Sequence, residues 1–187
     1  MTYLSSYMIQ PVSAMRQHPE MIPEEPGLYA LILDHPAALE PALERARLRL
    51  EHVRLGQRCV LYIGSTDDSL RRRVKCHLSN DTGRSTFRMS LGALLADELG
   101  LVARPVPGAS YFCFEPGSEA VLSAWIGAHV SVAVKPAREA RAKEPGLIRA
   151  QQPPLNIAGR GASFETGVML MLRRRCQGLA FDPGSLN

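Results

Sequence analysis

The stretch Leu61–Tyr62–Ile63–Gly64, with the segment that follows it, decides how this chain is interpreted. A short apolar run ends there on a tyrosine and a glycine. The polar turn Ser65–Asp68 comes next, and a basic helix is predicted over Leu70–Leu78. Arg73 and His77 are four residues apart, so they are neighbours on one face of that helix. A strand-end tyrosine beside a helix that presents an arginine and a histidine indicates a candidate phosphate site.

Several short motifs lie in one order along the chain. They are Gly27–Leu28–Tyr29, Tyr62–Ile63–Gly64, Leu70 with Arg73 three positions later, His77, Glu144 ahead of Leu147–Ile148, and the run Pro153–Pro154–Leu155–Asn156. In order and spacing these motifs resemble the signature of the GIY-YIG nuclease superfamily. The histidine four residues after the arginine resembles the restriction-endonuclease-like branch of that superfamily.

The resemblance implies a metal-dependent DNA endonuclease that hydrolyses phosphodiester bonds in line, with one metal ion and no covalent enzyme intermediate. It assigns the metal, Mg²⁺ or Mn²⁺, to Glu144. One carboxylate suits Mg²⁺, because this ion keeps several waters and is often held by one or two carboxylates plus the substrate phosphate. It assigns the scissile phosphate to Arg73, whose guanidinium is always charged and makes two-pronged contacts.

The other assigned residues serve proton transfer and local order. By resemblance Tyr29, in preference to Tyr62, activates the attacking water, and the other tyrosine orients that water or contacts the phosphate. A phenol has an ordinary pKa of about 10, so nearby cations are expected to lower it. His77 is expected to assist proton transfer or to bind a phosphate oxygen. Asn156 is expected to order the loop near the glutamate or to hold a water.

Each of these residues also has an ordinary structural explanation. Strand-end tyrosines commonly have buried rings and hydrated hydroxyls, and a glutamate at a helix start is stabilised by the helix dipole. A lone histidine on a helix is more often structural, and an asparagine after Pro154–Leu155 suits a turn. The shared order of the motifs is what favours the catalytic interpretation.

Affinity for DNA is expected to come from arginines that contact phosphates, which provide binding without sequence readout. The candidates are Arg71, Arg72, Arg84, Arg88, Arg160 and the run Arg173–Arg175. The preferred DNA-facing element is Arg84–Arg88, since an aromatic residue among Arg and Thr suits contact with a groove or backbone. The alternative is a capped amphipathic helix start, which is the better explanation for Phe87.

The periodicity predicts an α+β fold, a small sheet with helices packed around it. The resemblance adds that this central sheet is mostly antiparallel. Predicted strands are Leu28–Leu33, Arg58–Ile63, Ser110–Phe114 and His129–Val134. Predicted helices are an inserted helix over 36–56 between the two signature strands, Leu70–Leu78, Thr86–Leu99, Ser118–Ile126, Gly146–Gln152 and Phe164–Cys176. Pro145 is expected to interrupt any longer helix, so that Glu144 stands at a helix start.

We divide the chain into an N-terminal arm over 1–25, a GIY-YIG-like domain over 26–160, and a C-terminal helix and tail over 161–187. Several prolines break up the arm, which is predicted to be a loose lead-in with at most a short helix.

Composition is ordinary for a globular protein, with 45% hydrophobic and 21% charged residues. The formal net charge of +4 suits a polyanionic partner such as DNA without requiring one. The four cysteines have no zinc-type spacing, which favours free thiols in a reducing, cytoplasmic setting. No signal peptide or membrane span is predicted. Double-strand cutting would suit a homodimer, although no interface is visible in the sequence.

Three alternatives remain open at this point. One is a structure-specific DNA repair or recombination nuclease of the same family, which an added helix-hairpin-helix or coiled-coil module would favour. Another is a nucleic-acid binding protein that keeps the fold without turnover, which Pro145 beside Glu144 makes conceivable. The last is a globular protein unrelated to nucleic acid, which the ordered motifs disfavour.

Overall fold

The fold is built around one antiparallel sheet. A computed structural model describes residues 6–48, 54–55 and 58–179. The strands are β1 (Met8–Pro11), β2 (Gly27–Leu33), β3 (Arg54–Leu55), β4 (Arg58–Thr66), β5 (Ala103–Pro105), β6 (Phe112–Phe114) and β7 (Val130–Pro136). The main sheet has the order β1-β7-β2-β4-β3 and all its neighbouring pairs are antiparallel, while β5 and β6 form a separate pair. The predicted α+β class with a mostly antiparallel central sheet is confirmed.

Helices flank this sheet on both faces. They are α1 (Val12–Gln17), α2 (Glu40–Ala46), α3 (Leu70–Leu78), α4 (Thr86–Leu95), α5 (Pro116–His129), α6 (Ala140–Gln151) and α7 (Phe164–Cys176). Short 3₁₀ turns occur at Pro19–Met21, Pro36–Ala38 and Thr82–Arg84. None of the helices in the described part of the chain is long and apolar enough to span a membrane.

Strand β2 lies at the centre of the sheet because its sequence is apolar on both sides. All seven of its residues are buried. Tyr29, Leu31 and Leu33 face the larger core, which is covered by the helices other than α6. Ala30 and Ile32 face a smaller core that is closed by Ile148 of α6. A strand buried on both faces is typically a continuous apolar run, and this property makes β2 recognisable in the sequence.

A β-bulge in β4 decides which way the second signature tyrosine points. Leu31 pairs with Tyr62 but Ile32 pairs with Val60, so Leu61 has no partner in β2. In a regular strand Val60 and Tyr62 would share a face, since side chains alternate. The extra residue breaks that alternation, and Tyr62 joins the larger core while Val60 belongs to the smaller one.

The insertion between the signature strands contains a helix, but the predicted span of 36–56 is too long. A 3₁₀ turn precedes α2, and Arg47 ends that helix in the left-handed region at φ 54°. Arg54 and Leu55 instead form strand β3, which pairs with the start of β4. Residues 49–53 and 56–57 of the predicted helix lie outside the described residues.

The interpretation of the N-terminal residues as a loose lead-in also requires correction. Strand β1 pairs with β7 at the edge of the main sheet, and Val12 and Met15 of α1 are buried in the larger core. The prolines shorten these elements without removing them, because Pro11 ends a strand and Pro19 opens a 3₁₀ turn. The proposed domain limits at 25/26 and 160/161 stay a prediction.

Helix α6 is continuous through Pro145, contrary to the predicted break. Pro145 is the sixth residue of α6, so Glu144 lies inside the helix and not at its start. Proline removes the hydrogen bond to the carbonyl of Arg141, and both residues are exposed, so water can satisfy that carbonyl. Helix α4 ends at Leu95 and not at Leu99, whereas α3 and α7 have their predicted bounds.

Candidate active site

The two signature tyrosines lie side by side on the face of the sheet that packs against α3 and α4. Tyr29 pairs across the strands with Gly64, and Tyr62 pairs with Leu31. The tyrosine ring centroids are 6.4 Å apart and the ring planes differ by 25°. The bulge at Leu61 is therefore what brings the second tyrosine to the first.

Gly64 has a steric role in this arrangement. A methyl group at Gly64 would overlap the ring and hydroxyl of Tyr29, which lies across the strand pair. Gly27 is constrained in the same way, because a methyl group there would meet the carbonyl of Lys135 and the side chain of Leu70. Both signature glycines thus allow close approach of neighbouring groups at the site.

Helix α3 supplies the two polar side chains that contact Tyr29. Its N-terminus is capped by Ser69, whose hydroxyl accepts a hydrogen bond from the Arg72 N–H. The Arg73 Nε–H donates to the Tyr29 hydroxyl at 3.2 Å, and the His77 Nε2 lies 2.8 Å from the same oxygen. Arg73 and His77 therefore lie on one face of α3, as predicted, and both side chains contact the Tyr29 hydroxyl.

His77 is fully buried behind Tyr29. Its Nδ1 lies 2.7 Å from the Ser85 hydroxyl, so both ring nitrogens have a partner inside the protein. Burial, with the nearby charges of Arg73 and Arg88, lowers the pKa of His77 to about 3. The imidazole is therefore neutral at pH 7, and it cannot reach a phosphate oxygen in this structure.

Both tyrosine hydroxyls are held in their protonated form. Tyr29 is 1% exposed and Tyr62 is 8% exposed. Burial raises the pKa of each phenol, and the charge of Arg73 acts in the opposite direction without cancelling the effect of burial. The Tyr62 hydroxyl lies 2.8 Å from the hydroxyl of Thr86, at the start of α4.

Glu144 reaches the site from α6. Its carboxylate accepts a short hydrogen bond from the hydroxyl of Ser65, the residue after Gly64. The negative charge of Glu144 raises the pKa of both Tyr29 and Tyr62, which places this carboxylate within electrostatic range of the two phenols.

The oxygen atoms of Glu144 and Ser65 are suitable ligands for a hard divalent cation. No cluster of three or more His, Cys, Asp or Glu side chains that would bind a metal occurs in residues 6–48, 54–55 and 58–179. A single carboxylate beside a hydroxyl matches the sparse oxygen ligation of Mg²⁺, which keeps waters and uses substrate phosphate oxygens.

Asn156 is a structural partner of the second signature strand. Its Oδ1 accepts the Ile63 N–H at 2.9 Å, and its Nδ2 donates to the Ile63 carbonyl at 2.8 Å. The side chain is 4% exposed and both its polar atoms are engaged. Asn156 therefore attaches the loop after α6 to β4, and its expected roles, ordering that loop or holding a water, stay predictions.

The prediction that Arg88 contacts DNA is wrong for this structure. Its side chain is fully buried, and its Nη2 lies 2.5 Å from the carboxylate of Glu119. The same carboxylate accepts hydrogen bonds from the backbone N–H and the hydroxyl of Thr82 and from the N–H of Phe114. Arg88 thus belongs to a buried ion pair under the loop before α4, because α4 turns this residue inward.

Two other arginines proposed to contact DNA, Arg71 and Arg160, donate hydrogen bonds within the protein. Arg71 donates to the carbonyls of Glu20 and Ile22 and binds Glu24, so it holds the N-terminal segment. Arg160 has a side chain only 6% exposed and donates to Gln152 and to the carbonyl of Pro154. Their donors therefore bind other groups of the protein, although the contacts of Arg71 with Glu20 and Glu24 are exposed to solvent.

Arg72 and Arg84 are exposed, and their contact with DNA stays a prediction. Arg72 also forms an ion pair with Asp68 one turn earlier. Such an exposed pair is weak and can be exchanged for a phosphate contact.

Three hydroxyl groups at the site were not predicted to have a functional role. Ser65 binds Glu144, Ser85 binds His77, and Thr86 binds Tyr62. Ser85 and Thr86 are recognisable in the sequence as candidate helix caps, and Ser85 does cap α4. Their second partners depend on tertiary contacts, which no local pattern reports.

Comparison with known proteins agrees with this geometry. A family model described as the GIY-YIG catalytic domain matches residues 27–175, which is most of the chain. Neither a curated protein nor a solved structure matches the chain significantly. The matched range includes both signature strands, α3, α6 and α7, and the chain belongs to the GIY-YIG family of nuclease domains.

Proposed function

We propose that this protein is a metal-dependent DNA endonuclease. The observation that carries the proposal is the convergence of Arg73 and His77 on the Tyr29 hydroxyl, with the carboxylate of Glu144 close enough to act on both tyrosines. A phosphoryl-transfer site needs a cation for the phosphate, a proton acceptor for the attacking water and an anionic ligand for a metal. Arg73 of α3, Tyr29 of β2 and Glu144 of α6 would meet these three requirements.

Tyr29 is the proposed proton acceptor. Its oxygen accepts the Arg73 Nε–H, and its own proton can be donated to the neutral Nε2 of His77, which leaves one lone pair for a proton of the attacking water. As the water gives its proton to Tyr29, the original phenolic proton passes to His77. This transfer avoids a free phenolate, which burial disfavours, but it places the proton on an imidazole whose pKa burial also lowers, so His77 would hold that proton only transiently. The tautomer required has its proton on Nδ1, donating to Ser85.

Arg73 is the proposed ligand of the scissile phosphate. Its Nε–H binds Tyr29, and no carboxylate is within ion-pair distance of it among the residues that the structure describes. The guanidinium therefore has donors for a phosphate next to the proposed base. That position suits stabilisation of charge on the non-bridging oxygens.

Glu144, oriented by Ser65, is the proposed ligand of Mg²⁺ or Mn²⁺. When bound, such an ion would neutralise phosphate charge and stabilise the leaving oxygen. The reaction is a one-metal, in-line hydrolysis without a covalent enzyme intermediate.

The spacing of Arg73 and His77 further suggests the restriction-like branch, and double-strand cutting would then use a homodimer. Cys76, Cys113 and Cys176 are free thiols, which suits a cytoplasmic location.

A second candidate function is a nucleic-acid binding protein that keeps the fold without turnover. The observations in its favour are the low exposure and raised pKa of both tyrosines. A structure-specific repair nuclease would use the same site and would differ in its substrate.

The test is cleavage of supercoiled plasmid, short duplexes, branched DNA and single strands at low salt, with Mg²⁺, Mn²⁺ or EDTA. The parent is compared with Glu144→Gln and Arg73→Ala. Matched controls are Glu40→Gln and Arg45→Ala, an exposed carboxylate and an exposed arginine on α2.

We expect metal-dependent cleavage that both site variants lose and both controls keep, with folding checked by circular dichroism. Cleavage by Glu144→Gln at the parental rate would refute the site assignment. Tight binding without cleavage of any substrate would support the binding protein instead.

A further inference from the structure

A second arginine, Arg173, lies within electrostatic range of Tyr62. Arg173 projects from α7, which packs against α4, and its Nη2 lies 3.3 Å from the sulfur of Met89. Met89 is one helical turn after Thr86, whose hydroxyl binds that of Tyr62. Arg173 and Tyr62 thus contact side chains that lie one turn apart on α4.

The charge of Arg173 is only partly compensated inside the protein. The side chain is half-buried, and burial lowers the pKa of its guanidinium. Within the described ranges no carboxylate lies at ion-pair distance from it, and a thioether sulfur is a weak acceptor. Its charge acts on Tyr62, where it lowers the pKa of the phenol against the larger effect of burial.

Not every arginine of α7 lacks a carboxylate partner, as the neighbouring Arg175 shows. Arg175 is exposed, and its two terminal nitrogens bind the two carboxylate oxygens of Asp97 at 2.7 and 2.8 Å. An arginine that is paired on the surface contributes to the stability of the fold. One that is half-buried without a counter-ion, next to a site for phosphate, costs stability unless an anionic ligand compensates it.

We propose that Arg173 binds a backbone phosphate of the DNA substrate on the Tyr62 side of the active site. This inference rests on the proposed endonuclease function and extends it to α7. Arg73 would hold the scissile phosphate beside Tyr29, and Arg173 a second phosphodiester of the same strand. Helix α7 would then contribute a side chain to the DNA-binding site.

The test is DNA binding in EDTA, so that cleavage does not interfere. Fluorescence anisotropy of a labelled duplex is recorded between 50 and 200 mM salt for the parent, Arg173→Met and Arg175→Met. Methionine keeps the apolar stem of the side chain and removes the charge, so the packing against Met89 is largely retained. Both variants lose one charge from the same helix, which controls for net charge.

We expect Arg173→Met to weaken binding about tenfold, because a charge-assisted contact is lost. The slope of log K against log salt should decrease in magnitude by about 0.9, which corresponds to one phosphate contact. Arg175→Met should keep the parental slope, and Arg173→Lys should restore most of it. If Arg173→Met is not folded by circular dichroism, Arg173→Gln takes its place in the same comparison.

The failure of this inference can be distinguished from failure of the proposed function. A parent that binds and cleaves DNA, with an Arg173→Met variant of parental affinity and slope, would overturn the role of Arg173 alone. Equal losses in Arg173→Met and Arg175→Met would reduce the effect to general charge and also overturn it. A parent that neither binds nor cleaves any DNA would overturn both proposals.

Discussion

Replacement of His77 by glutamine should make the protein more resistant to acid. In the folded chain His77 is fully buried, and its pKa is lowered to about 3. In the unfolded chain a histidine has a pKa of about 6.5. Between these two values the unfolded state binds a proton that the folded state does not bind, so the free energy of unfolding decreases as the pH falls below about 6.5.

The size of the effect follows from the two pKa values. At pH 5 the unfolded histidine is protonated and the folded one is not, which stabilises the unfolded state by about 2 kcal/mol relative to pH 7. His77→Gln removes this contribution, although it also costs some packing at every pH. The parent should therefore lose about 2 kcal/mol more than the variant between pH 7 and pH 5.

Urea denaturation followed by circular dichroism at both pH values measures this difference. The carboxylates titrate in both proteins, so their contribution cancels in the comparison. Asn80→Gln, at an exposed position that does not titrate, is the control for a substitution near the end of α3. An equal loss of stability in the parent and in His77→Gln would show that His77 is not a buried neutral base, and the proposed proton transfer from Tyr29 would fall with it.

Three further predictions concern the tyrosines, the second signature glycine and the buried ion pair. Tyr29→Phe should lower the cleavage rate about a hundredfold or more with little change in DNA affinity, and Tyr62→Phe should lower it less; single-turnover kinetics and anisotropy decide this. Gly64→Ala should displace the Tyr29 hydroxyl, cost about 1–3 kcal/mol in urea denaturation and reduce cleavage. Arg88→Met should cost about 3–5 kcal/mol by leaving Glu119 unpaired, while the folded variant keeps parental DNA affinity. A stable Arg88→Met variant with weakened binding would instead restore the DNA-contact hypothesis.

Local sequence patterns predicted the elements whose cause is local. The helix over Leu70–Leu78 is predictable because its capping serine and its buried positions lie within nine residues of one another. The central strand is predictable because Gly27–Leu33 is continuously apolar and flanked by turn residues. The neighbouring positions of Arg73 and His77 follow from helical geometry alone.

The features that escaped prediction depend on contacts between distant segments. The bulge at Leu61 leaves no mark in composition, although it reverses the face of Tyr62. Arg88 is predicted to lie at the surface because charged side chains are rarely buried. Its partner Glu119 is 31 residues away, so no local pattern indicates the ion pair. The continuity of α6 through Pro145 is equally hidden, since it depends on whether the freed carbonyl can reach water.

The buried ion pair connects the fold to the chemistry of the site. Glu119, which Arg88 neutralises, binds the backbone and hydroxyl of Thr82 and so positions the turn that leads into α4. That turn ends at Ser85, whose hydroxyl caps α4 and also holds Nδ1 of His77. The imidazole in turn orients the hydroxyl of the first signature tyrosine. The Arg88–Glu119 pair is thus connected to the proposed proton acceptor, Tyr29, by a series of hydrogen bonds, each of which restricts the orientation of the next side chain.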